Sequence, residues 1–200
     1  MLSEEKLEKI KVNIEENRIY LINPFTERIR QWISKSDTTT DAFDKYISLF
    51  IAFNMFYNLW NRVKNPEKKE IRENDGVKVM NVIELIEPSR FPISKEDIIK
   101  LTDILIEDRL VVEIYSWNNK KLVLEGFAQD LLCNNMQNND KLIHYLIKTL
   151  YKIRCNLVHG EKGYEERQLR LLNQSSKILR DLLEQLLTIL QNLVHNQSAS

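Results

Sequence analysis

An arginine, an asparagine and a histidine fall within six positions of one apolar stretch, Arg154-Cys155-Asn156-Leu157-Val158-His159, which then meets Gly160. Arginine is always cationic and presents a planar fork that fits a phosphate. Histidine titrates near neutrality and can move a proton in either direction. Asparagine donates and accepts within one side chain. One group to hold phosphate charge, one to move a proton and one to orient make a minimal set for phosphodiester chemistry without a metal. Polar and charged groups in apolar surroundings are costly unless satisfied. The cluster therefore reads either as a satisfied polar network fixing the turn before Gly160 or as a chemical site.

No carboxylate cluster, no Cys/His set with metal-ligand spacing and no Gly-rich phosphate loop accompanies these residues. That weakens metal-hydrolase and nucleotide-triphosphatase readings, and the expectation is a site with neither metal nor cofactor. The spacing poses a geometric difficulty. Five residues along an ideal helix separate Arg154 from His159 by about 140° around the axis and about 7.5 Å along it. Either the helix ends between them, which Gly160 favours, or a second copy of the chain completes the site.

The elements that must position this motif are helical. Two hundred residues, 43% of them apolar, suffice for one domain with a real core, and only 4 glycines and 4 prolines favour long helices over many short strands. The expectation is a single all-α helical bundle over 1–200 with long antiparallel helices, residues 1–40 forming an N-terminal helical extension and 64–76 a flexible loop. The chemistry-bearing helix spans 142–159, with Leu146, Leu150, Ile153 and Leu157 as its core stripe and Arg154 at the edge of that stripe. A second dominant helix covers 41–63, where Tyr46, Leu49, Phe53, Phe56, Trp60 and Val63 recur at alternating spacings of three and four. Beside them runs a line of Ile47, Ile51, Asn54, Asn58 and Arg62. Asn54 reads either as an interhelical hydrogen bond or, with Asn58 or Arg62, as lining the site.

The longest helix covers 165–195. Its unbroken apolar alternation from Leu169 to Leu193, with an adjoining stripe of Leu171, Ile178, Leu182 and Ile189, is wider than a two-stranded coil needs. It suits a bundle interior, including one shared between two chains. Shorter helices are expected over 3–17, 25–34, 76–86 with Asp75 as cap, and 94–108, where Ser94-Lys95-Glu96-Asp97 resembles a capping box with Asp in place of Glu. Residues 110–125 are the one strand-like stretch and allow a small hairpin.

The formal net charge is 0, so nucleic-acid contact would have to be local. Residues 140–170 carry seven Lys/Arg against four Asp/Glu, a mild excess that permits RNA binding without demanding it. Cys133 and Cys155 form no disulfide framework and read as free thiols in a reducing compartment. The apolar run at 46–60 is shorter than the roughly 20 residues of a membrane span, and the charged N-terminus does not resemble a signal peptide. A cytoplasmic protein without membrane association is expected.

The string Arg154-Cys155-Asn156-Leu157-Val158-His159-Gly160-Glu161-Lys162 resembles the R-x4-H signature of the HEPN superfamily, all-helical domains found in many RNA-cleaving toxins and antiviral effectors. It is most similar to the subset reading R-x-N-L-hydrophobic-H-G-E-K. The helix containing Phe50-Ile51-Ala52-Phe53-Asn54-Met55-Phe56-Tyr57 is similar to an early helix of that subset, whereas residues 64–137 match nothing in it. The resemblance implies a bundle that dimerises with the two motifs facing each other. It implies a metal-independent endoribonuclease in which a ribose 2′-hydroxyl attacks the adjacent phosphate, leaving a cyclic phosphate and a 5′-hydroxyl. Arg154 would stabilise the developing phosphorane charge, His159 would exchange the proton, and Asn156 would belong to the site. Many members carry a polar residue directly after the arginine, where this chain has Cys155, which reads as packing. Lys162, Lys152, Asn54 and Arg62 are candidate substrate contacts. His144 and His195 match nothing and read as surface or helix-end histidines. RNA and a second copy of the chain are the implied partners, with an antitoxin or a nucleotidyltransferase as further ones. The alternative is a binding or dimerisation module that holds RNA or a nucleotide without cutting.

Overall fold

The structure, a computed structural model, describes residues 4–17, 22–65, 74–86, 93–107, 139–158 and 165–195. The regular elements among them are helices: α1 (Glu4–Asn17), α2 (Asn23–Thr38), α3 (Ala42–Lys64), α4 (Asp75–Asn81) continued by a 3-10 turn at Val82–Leu85, α5 (Lys95–Glu107), α6 (Asn139–Val158) and α7 (Glu166–His195). The chain is an all-α helical bundle. The hairpin expected at 110–125 lies outside the described residues, as do His159, Lys162 and Cys133. No helix among the described residues is long and apolar enough to cross a membrane.

Helix α3 is the hub. Asp41 caps it by accepting from the Asp44 N–H at 2.9 Å, which satisfies one of the donors a helix start leaves open. Tyr46, Leu49, Phe53, Phe56, Trp60 and Val63 are all buried, as their spacing requires, while Ile47, Ile51, Asn54 and Asn58 are half-buried and Arg62 is exposed. Helix α3 packs against α1, α2, α4 and α7. Helix α5 docks on α7, and the Ser94 box forms: Ser94 Oγ accepts from the Asp97 N–H at 3.1 Å and donates to Asp97 Oδ2 at 2.8 Å.

Four expectations change. Residues 1–40 are not appended to the bundle. Ile10, Ile14, Ile22, Ile29 and Ile33 belong to the same buried cluster as the aromatic residues of α3. Helix α2 outruns its expected end at residue 34 and reaches Thr38. The hydroxyls of Ser36, Thr38 and Thr39 donate back to the carbonyls of Ile33 and Lys35, so residues that favour a loop prolong the helix instead. At 64–76, Lys64 is still helical and α4 begins at Asp75, capped by Asn74 rather than Asp75 through the Gly76 N–H at 2.9 Å. Finally, most of the broad apolar face of α7 is buried within one chain: Leu172, Ile178, Leu179, Leu182, Leu183, Leu186 and Leu190 are all buried, while Leu169, Ile189 and Leu193 are half-buried.

Candidate functional site

Arg154 projects from the last turn and a half of α6, and α6 is tied to α3 at its core. The Tyr46 hydroxyl donates to the Leu150 carbonyl at 2.6 Å inside the bundle. Burial pushes the Tyr46 phenol well above its ordinary 10.0, with Cys155 adding to the rise and Arg154 opposing it, so it stays a neutral donor. One turn along, the Arg154 guanidinium lies over the Phe50 ring of α3, 5.7 Å from its centroid. That is a cation–π contact within the usual range of about 6 Å. Arg154 is half-buried, and its guanidinium makes no hydrogen bond or ion pair among the described residues.

Two tyrosines missed in the sequence reading flank this arginine. The Tyr151 ring centroid lies 6.2 Å from that of Phe50. Phe50 meets Phe53 edge-on at 5.9 Å, and Phe53 meets Tyr57 edge-on at 5.6 Å. Burial raises the Tyr57 phenol far above 10.0, with Asp75, Tyr151 and Cys155 adding to the rise and Arg154 opposing it. Burial likewise raises Tyr151, reinforced by Cys155 and by Asp75 and opposed by Arg154. The phenols of Tyr57 on α3 and Tyr151 on α6 therefore both respond to Asp75 of α4 and to Arg154 and Cys155 of α6. Cys155, expected as packing, is half-buried and belongs to this group.

Asp75 reaches the group because α4 is fixed to α3. Buried Asn61 donates to the carbonyls of Tyr57 at 2.7 Å and Lys78 at 3.1 Å, and accepts from Asn81 Nδ2 at 2.7 Å. Trp60 Nε1 donates to the Asn81 carbonyl at 3.1 Å. Asn61 directly follows the apolar stretch 46–60, but only an α4 carbonyl within reach distinguishes it from its neighbours.

The other candidate residues are placed as follows. Asn156 is half-buried and Lys152 exposed. Each is two residues from Arg154, about 200° away around a regular helix, so neither shares its face. Lys152 and Asn156, four apart, share a face with each other. Among the described residues, Asn54 makes no direct interhelical bond. It accepts from Asn58 Nδ2 at its carbonyl (2.9 Å) and side chain (2.5 Å), and Asn58 in turn accepts from Lys78 of α4 at 3.1 Å. The interhelical tie thus belongs to Asn58. Arg62 lies over Phe25 of α2, twelve residues along α3 from Phe50, and does not join Arg154. His144 is half-buried on α6 rather than at a surface or helix end, and burial together with Lys148 holds it below its ordinary 6.5. Helix α6 is continuous to Val158, so no break before that residue removes the angular separation expected between Arg154 and His159. No protein-family model, curated protein or solved structure matches the chain.

Proposed function

We propose that the chain is a metal-independent endoribonuclease of the HEPN type, whose active site is composed from two copies. The observation that carries this reading is the half-buried guanidinium of Arg154, set over the Phe50 ring near the end of α6, four residues from the end of the described helix and five from His159. A cation so placed is suited to binding an anion, and a phosphate matches its fork. The motif R-x4-H with Asn156 supplies the proton carrier and the orienting amide. Arg154 stabilises the charge that grows on phosphorus oxygens as the 2′-hydroxyl attacks, and His159 exchanges the proton with the attacking or leaving oxygen. Because α6 is continuous and turns Asn156 away from Arg154, residues from two copies supply one phosphate with groups that a single copy directs apart. The setting is defence or a toxin–antitoxin pair, in a cytoplasmic protein.

Labelled RNA and matched DNA, incubated with purified protein and EDTA at neutral pH, test the reading. Cutting of RNA alone, with cyclic-phosphate ends, and its loss in Arg154→Ala and His159→Ala are the expected results. Absence of products from folded protein favours the non-cutting binding module. Products that survive both substitutions sink the site assignment.

A further inference from the structure

Tyr151 has no task in the reaction just proposed, yet it is placed as though it had one. It lies three residues before Arg154 on α6, so the two side chains leave the helix on one side. Both rest against the same ring: Phe50 lies 6.2 Å from the phenol, inclined at 45°, and 5.7 Å beneath the guanidinium. Phe50 is itself buried and continues through Phe53 to buried Tyr57, so the platform beneath the pair is packed on its far side. Tyr151 is half-buried, which leaves part of the ring open next to the cation. Among the described residues the large exposed apolar side chains are Val12 and Val77, on α1 and α4, so no apolar surface surrounds Tyr151 that would suit a greasy partner. A half-buried aromatic ring that shares the Phe50 platform with a cation matches a ligand that alternates flat rings with anions.

We infer that Tyr151 stacks an unpaired nucleobase of an RNA strand while Arg154 holds the neighbouring phosphate. The inference rests on the reading of Arg154 as the phosphate-holding group. It makes single-stranded RNA the substrate class, because a base inside a duplex has no free face to offer. Every base has a π-face, so Tyr151 supplies affinity with little sequence preference.

Binding of a short labelled oligonucleotide with 2′-O-methyl riboses, which cannot be cut by 2′-hydroxyl attack, tests this by fluorescence anisotropy. Tyr151→Leu is expected to weaken single-strand binding about tenfold, Tyr151→Phe to retain it, and neither to change binding of the same sequence as a duplex. An abasic strand offered to the unaltered protein reads the same contact without altering the fold, and it too should bind about tenfold more weakly. Equal binding of abasic and intact strands overturns the inference, as does a Phe variant as weak as the Leu variant. Failure of the unaltered protein to bind any strand also overturns it. Base-dependent binding without cleavage of unmodified RNA retains Tyr151 in this role and removes the nuclease reading instead.

Discussion

The Tyr46 hydroxyl donates at 2.6 Å to the Leu150 carbonyl, the acceptor that also receives the Arg154 N–H in the α6 ladder. The core of the bundle and the backbone of the candidate arginine therefore meet at one oxygen. Removing the hydroxyl leaves that carbonyl its helical partner, so the cost is that of one buried hydrogen bond, about 1 kcal/mol. Tyr46→Phe should lower the urea midpoint accordingly with an unchanged slope, and should weaken any Arg154-dependent activity more than its stability loss explains. Unchanged activity in a destabilised Phe variant would separate the clamp from the site.

Complementation tests the two-copy site directly. Arg154→Ala and His159→Ala should each reduce cleavage by at least roughly a hundredfold. Mixing the two inactive proteins, after unfolding and refolding together, should restore a fraction of the activity, because in a mixed dimer the native Arg154 of one copy faces the native His159 of the other. No recovery from a mixture shown to contain mixed dimers rules out a site shared between copies.

Asp97 ties the start of α5 to α7. It accepts from Gln174 Nε2 at 3.1 Å and from Lys177 Nζ at 2.7 Å, and the Ser94 hydroxyl donates to its other oxygen. Burial works to raise this carboxyl, but hydrogen bonds from Lys177, Ser94 and Gln174 outweigh it and hold the pKa below the ordinary 3.8. The unfolded chain then binds the proton more readily than the folded one. The stabilisation is present above pH 3.8 and is lost as pH falls through the lower folded value. Asp97→Ala should cost about 1–3 kcal/mol near neutrality, since the Ser94 hydroxyl and Lys177 lose their acceptor while Gln174 keeps only the Asp97 carbonyl. The deficit should shrink in acid. Melting curves for both proteins that run parallel down to low pH would refute the assignment.

Leu183 reports on how α7 is used. It is fully buried within one chain. Leu183→Ala should cost about 2–5 kcal/mol. Its effect on dimer dissociation, measured by sedimentation, should be far smaller than its effect on unfolding. A variant that folds well but fails to associate would return this face to the dimer.

Periodicity in the sequence was enough to locate the helices and the apolar side of each. The three–four alternation of Tyr46 through Val63 and of Leu169 through Leu193, and the Ser94–Asp97 box, are local properties of a chain that turns every 3.6 residues, and a helix face is legible without its neighbours. The residue types of the arginine motif were legible for the same reason. Periodicity carries no information about what each face packs against. Only the tertiary structure decided that α7 buries most of its broad face inside one chain, and that Asn58 and Asn61, rather than Asn54, join α3 to α4. It also decided that Arg154 lies with Phe50, Tyr57, Asp75 and Tyr151, while Lys152 and Asn156 turn elsewhere on the same helix. Those outcomes depend on contacts between residues as far apart in sequence as Tyr46 and Leu150. They are set by which arrangement of helices buries the most apolar surface while giving each buried polar group a partner.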